Sequence, residues 1–135
     1  MKKLLLPLFL LVFLAGCGGS PAEQPAGEPN EDGFTVITAE EAKTMLDSSN
    51  KVILVDVRTE DEYAEERIDG AVLIPHNEIS SRAEAELPKK DATIIVYCAS
   101  GVRALEAAKI LADLGYTNVY TMGGILSWPY DTVTE

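Results

Sequence analysis

Cys98 is the residue of this chain best placed for covalent chemistry. It follows Thr93-Ile94-Ile95-Val96-Tyr97, an unbroken β-branched and apolar run, and precedes a helical pattern from Val102 to Leu114. In an open parallel sheet, ligands bind beyond the carboxyl ends of the strands. The connecting segment, Cys98-Ala99-Ser100-Gly101-Val102-Arg103, has residues small enough for backbone N–H groups to turn toward one point. Those donors and the positive end of the following helix favour a thiolate or a bound anion. Arg103 adds a fixed positive charge at the loop's far side. A thiolate held this way is a nucleophile near neutral pH. Many free cysteines are only small buried hydrophobes, but a strand-end position leading into Gly101 and Arg103 argues for chemistry.

The rest of the composition narrows the field. The chain has 135 residues, with 11 basic against 22 acidic side chains and a net charge of −11. That length suits one ordinary domain, and 47% hydrophobic with 24% charged residues is globular rather than disordered. The acidic balance leaves no basic stripe for nucleic acid. Cys17 and Cys98 with the single His76 cannot build a zinc site of the usual ligand number and spacing, so no metal or cofactor is expected.

Cys17 has its own explanation. Met1-Lys2-Lys3 is a cationic start, and Leu4 to Ala15 is an apolar stretch of 12 residues. Crossing a bilayer takes about 20, so the stretch fits a secretory signal peptide over 1–16. Leu14-Ala15-Gly16-Cys17 resembles a bacterial lipobox, which implies cleavage before Cys17 and its acylation. The expected place is extracytoplasmic, lipid-anchored to a bacterial membrane. With Cys17 blocked by lipid, Cys98 is the one free thiol of the mature chain. The segment 17–33 is the lipidated cysteine and a Gly-, Pro- and acid-rich linker with almost nothing to bury. The folded domain is then 34–135.

Within that domain strand and helix signals alternate. Phe34–Ile37, Val52–Val55, Ala71–Ile74, Thr93–Tyr97 and Asn118–Thr121 read as strands. Thr38 with Glu41, Thr59 with Glu62, and Ser81 with Glu84 read as capping boxes that open helices. The Val102–Leu114 helix carries Ala104, Ala108, Leu111 and Leu114 on one stripe, with Gly115 closing it. Gly123-Gly124 reads as a turn before a last short helix, Ile125 to Trp128. The fold class is α/β, a central parallel sheet of about five strands with helices on both faces.

These elements carry a family resemblance. The loop Cys98-Ala99-Ser100-Gly101-Val102-Arg103 resembles the rhodanese active-site loop, Cys-x-x-Gly-x-Arg. Asp56-Val57-Arg58 with Glu62-Tyr63, Ile68-x-Gly70-Ala71-x-x-Ile74-Pro75, Leu114-Gly115-Tyr116-x-Asn118-Val119 and Gly123-Gly124-Ile125-x-x-Trp128 are similar to further rhodanese segments, in order and spacing. The resemblance covers about residues 34–130 and implies a single-domain, three-layer rhodanese-like fold. It implies a sulfurtransferase in which Cys98 takes a sulfane sulfur from thiosulfate, polysulfide or a persulfide and passes it to a thiol or cyanide. The loop from Ala99 to Arg103 would hold the substrate, and a protein could serve as sulfur acceptor. Ala99 stands where many members carry Arg, Glu66-Arg67 replaces a common Gly-His, and Asp69 replaces a Pro. The missing loop cation makes polysulfide or a small persulfide as reasonable a donor as thiosulfate.

Three other readings stand beside this one. The domain could be a membrane-anchored sulfur carrier with little turnover of its own. It could be a cysteine phosphatase or an arsenate reductase-like enzyme. Phosphatases resemble a Cys-x5-Arg pattern, whereas only four residues separate Cys98 from Arg103, too tight a ring for phosphate. Asp56 and Arg58 read as a buried pair supporting the loop base, His76 as rim or structure, and Trp128 as packing for the last helix.

Overall fold

Val55, Ile94, Ile95 and Val96 have no exposed surface, so the strands that carry them must be covered on both faces. In the computed structural model, which describes residues 27–135, they lie at the centre of a five-stranded sheet. The signal segment, Cys17 and the start of the linker fall outside the described residues. The strands are β1 (Thr35–Val36), β2 (Ile53–Asp56), β3 (Val72–Leu73), β4 (Thr93–Cys98) and β5 (Asn118–Gly124). All pairs are parallel, in the order β1-β5-β4-β2-β3.

Four helices connect them: α1 (Ala39–Ser48), α2 (Glu60–Glu65), α3 (Ile79–Glu86) and α4 (Val102–Asp113). Alternation along each strand sorts the core into two layers. Val55, Val57, Val96, Cys98 and Val119 pack with Ile79 and Ala83 of α3 and the alanine stripe of α4. Leu54, Ile95, Tyr97 and Met122 pack on the other face with Ala42 and Met45 of α1 and with Trp128. This is the α/β architecture expected, with Trp128 in the packing role expected of it.

Local signals placed most element ends. Thr38 and Thr59 each cap their helix with a reciprocal bond from Glu41 and Glu62. At the end of α4, Gly115 (φ 96°) gives its N–H to Ala112 and Tyr116 gives its own to Leu111, which closes the helix in a Schellman pattern. The end of the linker segment is turned. Asn30 and Phe34 exchange bonds across residues 30–34, and Asp32 pairs with Lys109 of α4 at 2.6 Å.

Two expectations are corrected. The helix at Ser81 begins earlier, at Ile79, and no side chain caps it. A turn after Pro75, closed by the Glu78 N–H on the Pro75 carbonyl, already aims the chain into the helix; Ser81 and Arg82 then donate their N–H groups to the Glu78 carbonyl. Gly123-Gly124 is the end of β5 rather than a turn. Between Val96–Thr121 and Cys98–Gly124 the β5 strand carries one extra residue, and Gly123 takes up that bulge at φ 84°.

Candidate active site

The strand end, the loop and α4 are continuous at Cys98. The residue is the last of β4, 1% exposed, on the face covered by α4. Its Sγ accepts the N–H of Gly101 at 3.0 Å. Gly101 has φ 123°, a conformation that costs a side-chain-bearing residue energy, and its carbonyl takes the Leu105 N–H as α4 begins. No side chain caps α4, so its first N–H groups keep no partner within the helix. The sulfur thus faces a backbone donor at the positive end of a 12-residue helix.

The loop's first peptide is held from behind. The Ala99 carbonyl accepts the Leu126 N–H at 3.2 Å and crosses directly over Gly124. A Cβ on Gly124 would fall inside the Ala99 carbonyl group and lie 2.7 Å from the Ser100 nitrogen. Both obstacles are backbone, so neither can swing aside. Gly124→Ala should cost about 1–3 kcal/mol. It should also cut any Cys98-dependent rate by about a hundredfold, since the loop must shift by something like an ångström. Urea unfolding and assays on the same preparation read both.

Arg103 does not stand free. Its Nη1 and Nη2 donate to the two oxygens of Glu62 at 2.8 and 2.9 Å, a fork between the first turns of α2 and α4. Glu62 also accepts the Thr59 backbone N–H and hydroxyl, at 2.9 and 3.1 Å. The Arg103 bond above all, opposed by partial burial and helped by Thr59, lowers the Glu62 carboxyl from 4.5 to about 2. Glu62 in turn raises Arg103. A carboxyl depressed in this way contributes stability that is complete above pH 4.5 and is lost as the pH falls toward 2. Glu62→Gln should therefore unfold at lower urea than the parent at pH 7. The gap should close between pH 4.5 and 2. Sequence reasoning saw Glu62 only as a cap; its place in the Glu62-Tyr63 segment was the available signal.

Asp56 and Arg58 form the expected buried pair. Asp56 accepts the Arg58 backbone N–H, Nε and Nη2 at 2.9, 3.0 and 2.7 Å, and Nη2 also donates to the Glu66 carbonyl at 2.5 Å. Burial works against the Arg58 charge, but the bond and charge of Asp56 outweigh it and raise the group. Asp56 pairs in register with Tyr97, and the Arg58 guanidinium lies 5.8 Å from the Tyr97 ring. Tyr97 belongs to the α1 layer and Cys98 to the α4 layer. The pair therefore braces the sheet's carboxyl edge from the face opposite the sulfur. His76 gives its backbone N–H to Val57, and its half-buried imidazole makes no hydrogen bond among the described residues. No group of three or more His, Cys, Asp or Glu side chains among the described residues is arranged to hold a metal.

Comparison with known proteins agrees with this fold. The chain is 41% identical over 96 residues to a probable adenylyltransferase/sulfurtransferase, MoeZ, of Mycobacterium tuberculosis, covering 70% of this chain but only 24% of that protein. It is 38% identical over 71 residues to the thiosulfate sulfurtransferase PspE of Escherichia coli, covering 53% of this chain and 68% of PspE. Among solved structures, a rhodanese with anions from E. coli superposes with a TM-score of 0.59 at 33% identity, over 62% of this chain and 99% of that one. Residues 38–129 match the rhodanese-like domain family, a stretch that includes β2 to β5, the Glu62–Arg103 fork and the Cys98 loop, and the chain belongs to that family.

Proposed function

We propose that this protein is a rhodanese-type sulfurtransferase working through a persulfide on Cys98. The observation that carries the reading is the Cys98 sulfur at the end of β4, bonded by Gly101 at the open N-terminus of α4. The Cys98 thiolate attacks the outer sulfur of thiosulfate, a polysulfide or a persulfide and forms a new S–S bond. The donor's own S–S bond breaks, and its electron pair leaves on sulfite or on the donor's thiolate. A thiol, cyanide or protein acceptor then attacks the terminal sulfur, and the pair returns to Cys98. Steady-state turnover with thiosulfate and cyanide tests this, with double-displacement kinetics expected. Stoichiometric loading followed by a stall would make the domain a carrier. Cys98-dependent release of phosphate from an aryl phosphate, with no persulfide, would make it a phosphatase.

Anchoring belongs to the same proposal. The lipobox-like Leu14-Ala15-Gly16-Cys17 supports a lipidated Cys17 that tethers the domain outside the cytoplasm. Cys17→Ser should leave the protein unprocessed or released from membranes on fractionation. Native protein that begins later and carries no lipid would overturn the anchor.

A further inference from the structure

The sulfur's own loop forms one wall of a second feature. Beside it runs a groove of about 240 Å³, bounded by Val36 of β1, Ser100, Gly101, Val102 and Leu105, with Thr121 and Gly123 of β5 at its base. Val36, Val102 and Leu105 are 60, 65 and 44% exposed, an unusual concentration of uncovered apolar side chains at one edge of a small domain. Thr121 is 1% exposed, and its hydroxyl is the one buried side-chain oxygen or nitrogen among the described residues with no hydrogen-bond partner. Its register neighbours are Val36 on one side and Val96 on the other, which places it one step from the Cys98–Gly124 pair. Gly101 serves both features: its N–H holds the sulfur and its backbone lines the groove.

The charges nearby point away from a small dianion. The guanidinium of Arg103 is taken up by both oxygens of Glu62. An inorganic dianion meets no uncommitted cation on the loop, because the Glu62 carboxylate already holds Arg103. A donor with one charge or none, carrying carbon in place of charge, meets an apolar wall and an unused hydroxyl.

We infer that the Val36–Leu105–Thr121 groove is a subsite for the short aliphatic arm of an organic sulfane donor, with the Thr121 hydroxyl bonding a polar group on that arm. This rests on the sulfur-transfer reading and narrows its donor class. With an organic persulfide R–S–SH, the Cys98 thiolate takes the outer sulfur, the S–S bond of the donor breaks, and its electron pair leaves on R–S⁻. With an alkanethiosulfonate R–SO2–S⁻, the same attack leaves R–SO2⁻.

Alkanethiosulfonates are the probe, because they differ from thiosulfate only by an alkyl group in place of one charged oxygen. In the full-length protein, kcat/KM should rise about threefold per methylene from methane- to butanethiosulfonate, as apolar surface enters the groove. A Val36→Thr, Leu105→Gln double variant should flatten that rise to below about twofold overall and leave the methanethiosulfonate rate unchanged. With 3-hydroxypropanethiosulfonate, Thr121→Val should lower kcat/KM about fivefold while sparing butanethiosulfonate. The proposal is overturned by a flat chain-length series, by a rise that survives the double variant, or by a hydroxyl probe indifferent to Thr121→Val. Failure of every donor, methanethiosulfonate and thiosulfate included, would instead remove the sulfur-transfer reading. Binding of butanesulfonate, which has no sulfur to give, reads the groove independently of turnover. In the Cys98→Ser protein it should shift the NMR methyl signals of Val36, Leu105 and Thr121, and shifts confined elsewhere would overturn the subsite.

Discussion

Cys98→Ser is expected to lose sulfane-sulfur transfer altogether, on the order of a thousandfold or more, the scale on which enzymes lose rate with their covalent nucleophile. The change is nearly isosteric, and the Gly101 N–H that now meets Sγ can meet a hydroxyl oxygen instead. Stability should therefore move little. The chemistry disappears because a serine hydroxyl is hardly ionised near neutral pH and holds no transferable sulfur. Circular dichroism and urea unfolding establish the fold, and thiocyanate formation reads the activity. Parent-like transfer by a folded Cys98→Ser protein would sink the mechanism.

Asp56→Ala is expected to carry the largest stability cost of any single change considered. It strands the guanidinium of Arg58, a residue 5% exposed, without its carboxylate and leaves the Glu66 carbonyl to accept from it. Breaking a buried pair from one side costs about 3–5 kcal/mol, against a total stability of roughly 5–15 kcal/mol for an ordinary domain. Asp56→Asn keeps an acceptor for the Arg58 backbone N–H and should cost less. Replacing both partners with apolar residues of similar size should recover much of the loss, because it is the lone buried charge that destabilises. The pair lies on the α1 face of the sheet, away from the sulfur. The folded fraction of Asp56→Asn should therefore transfer sulfur at close to the parent rate. A large fall in kcat in fully folded protein would place Asp56 in the chemistry instead.

The parts legible in the sequence were those whose causes are local. Thr38 with Glu41, Thr59 with Glu62, and Gly115 announce helix ends through bonds within a few residues. Val52–Val55 and Thr93–Tyr97 announce buried parallel strands by having no polar face. The misread elements have causes outside their own motifs. Ser81 and Glu84 have the spacing of a cap, but the turn closed by Glu78 on Pro75 decides where α3 starts. Gly123-Gly124 has turn composition, yet Gly124 serves the close crossing of the Ala99 carbonyl, a contact made 25 residues away along the chain. The Glu62–Arg103 fork joins residues 41 apart. Arg103 was legible as the charge of the loop; its commitment to a carboxylate was not.

The central claim is that Cys98 carries the sulfur, and mass spectrometry of the donor-treated protein tests it most directly. The full chain is exposed to a sulfane donor, freed of excess reagent and digested without reductant. The account predicts one additional sulfur atom, confined to the peptide that contains Cys98, discharged by cyanide with stoichiometric thiocyanate and absent from Cys98→Ser. Thiocyanate formed with Cys98 unmodified at every time, or sulfur carried at equal level by the Cys98→Ser protein, would contradict it.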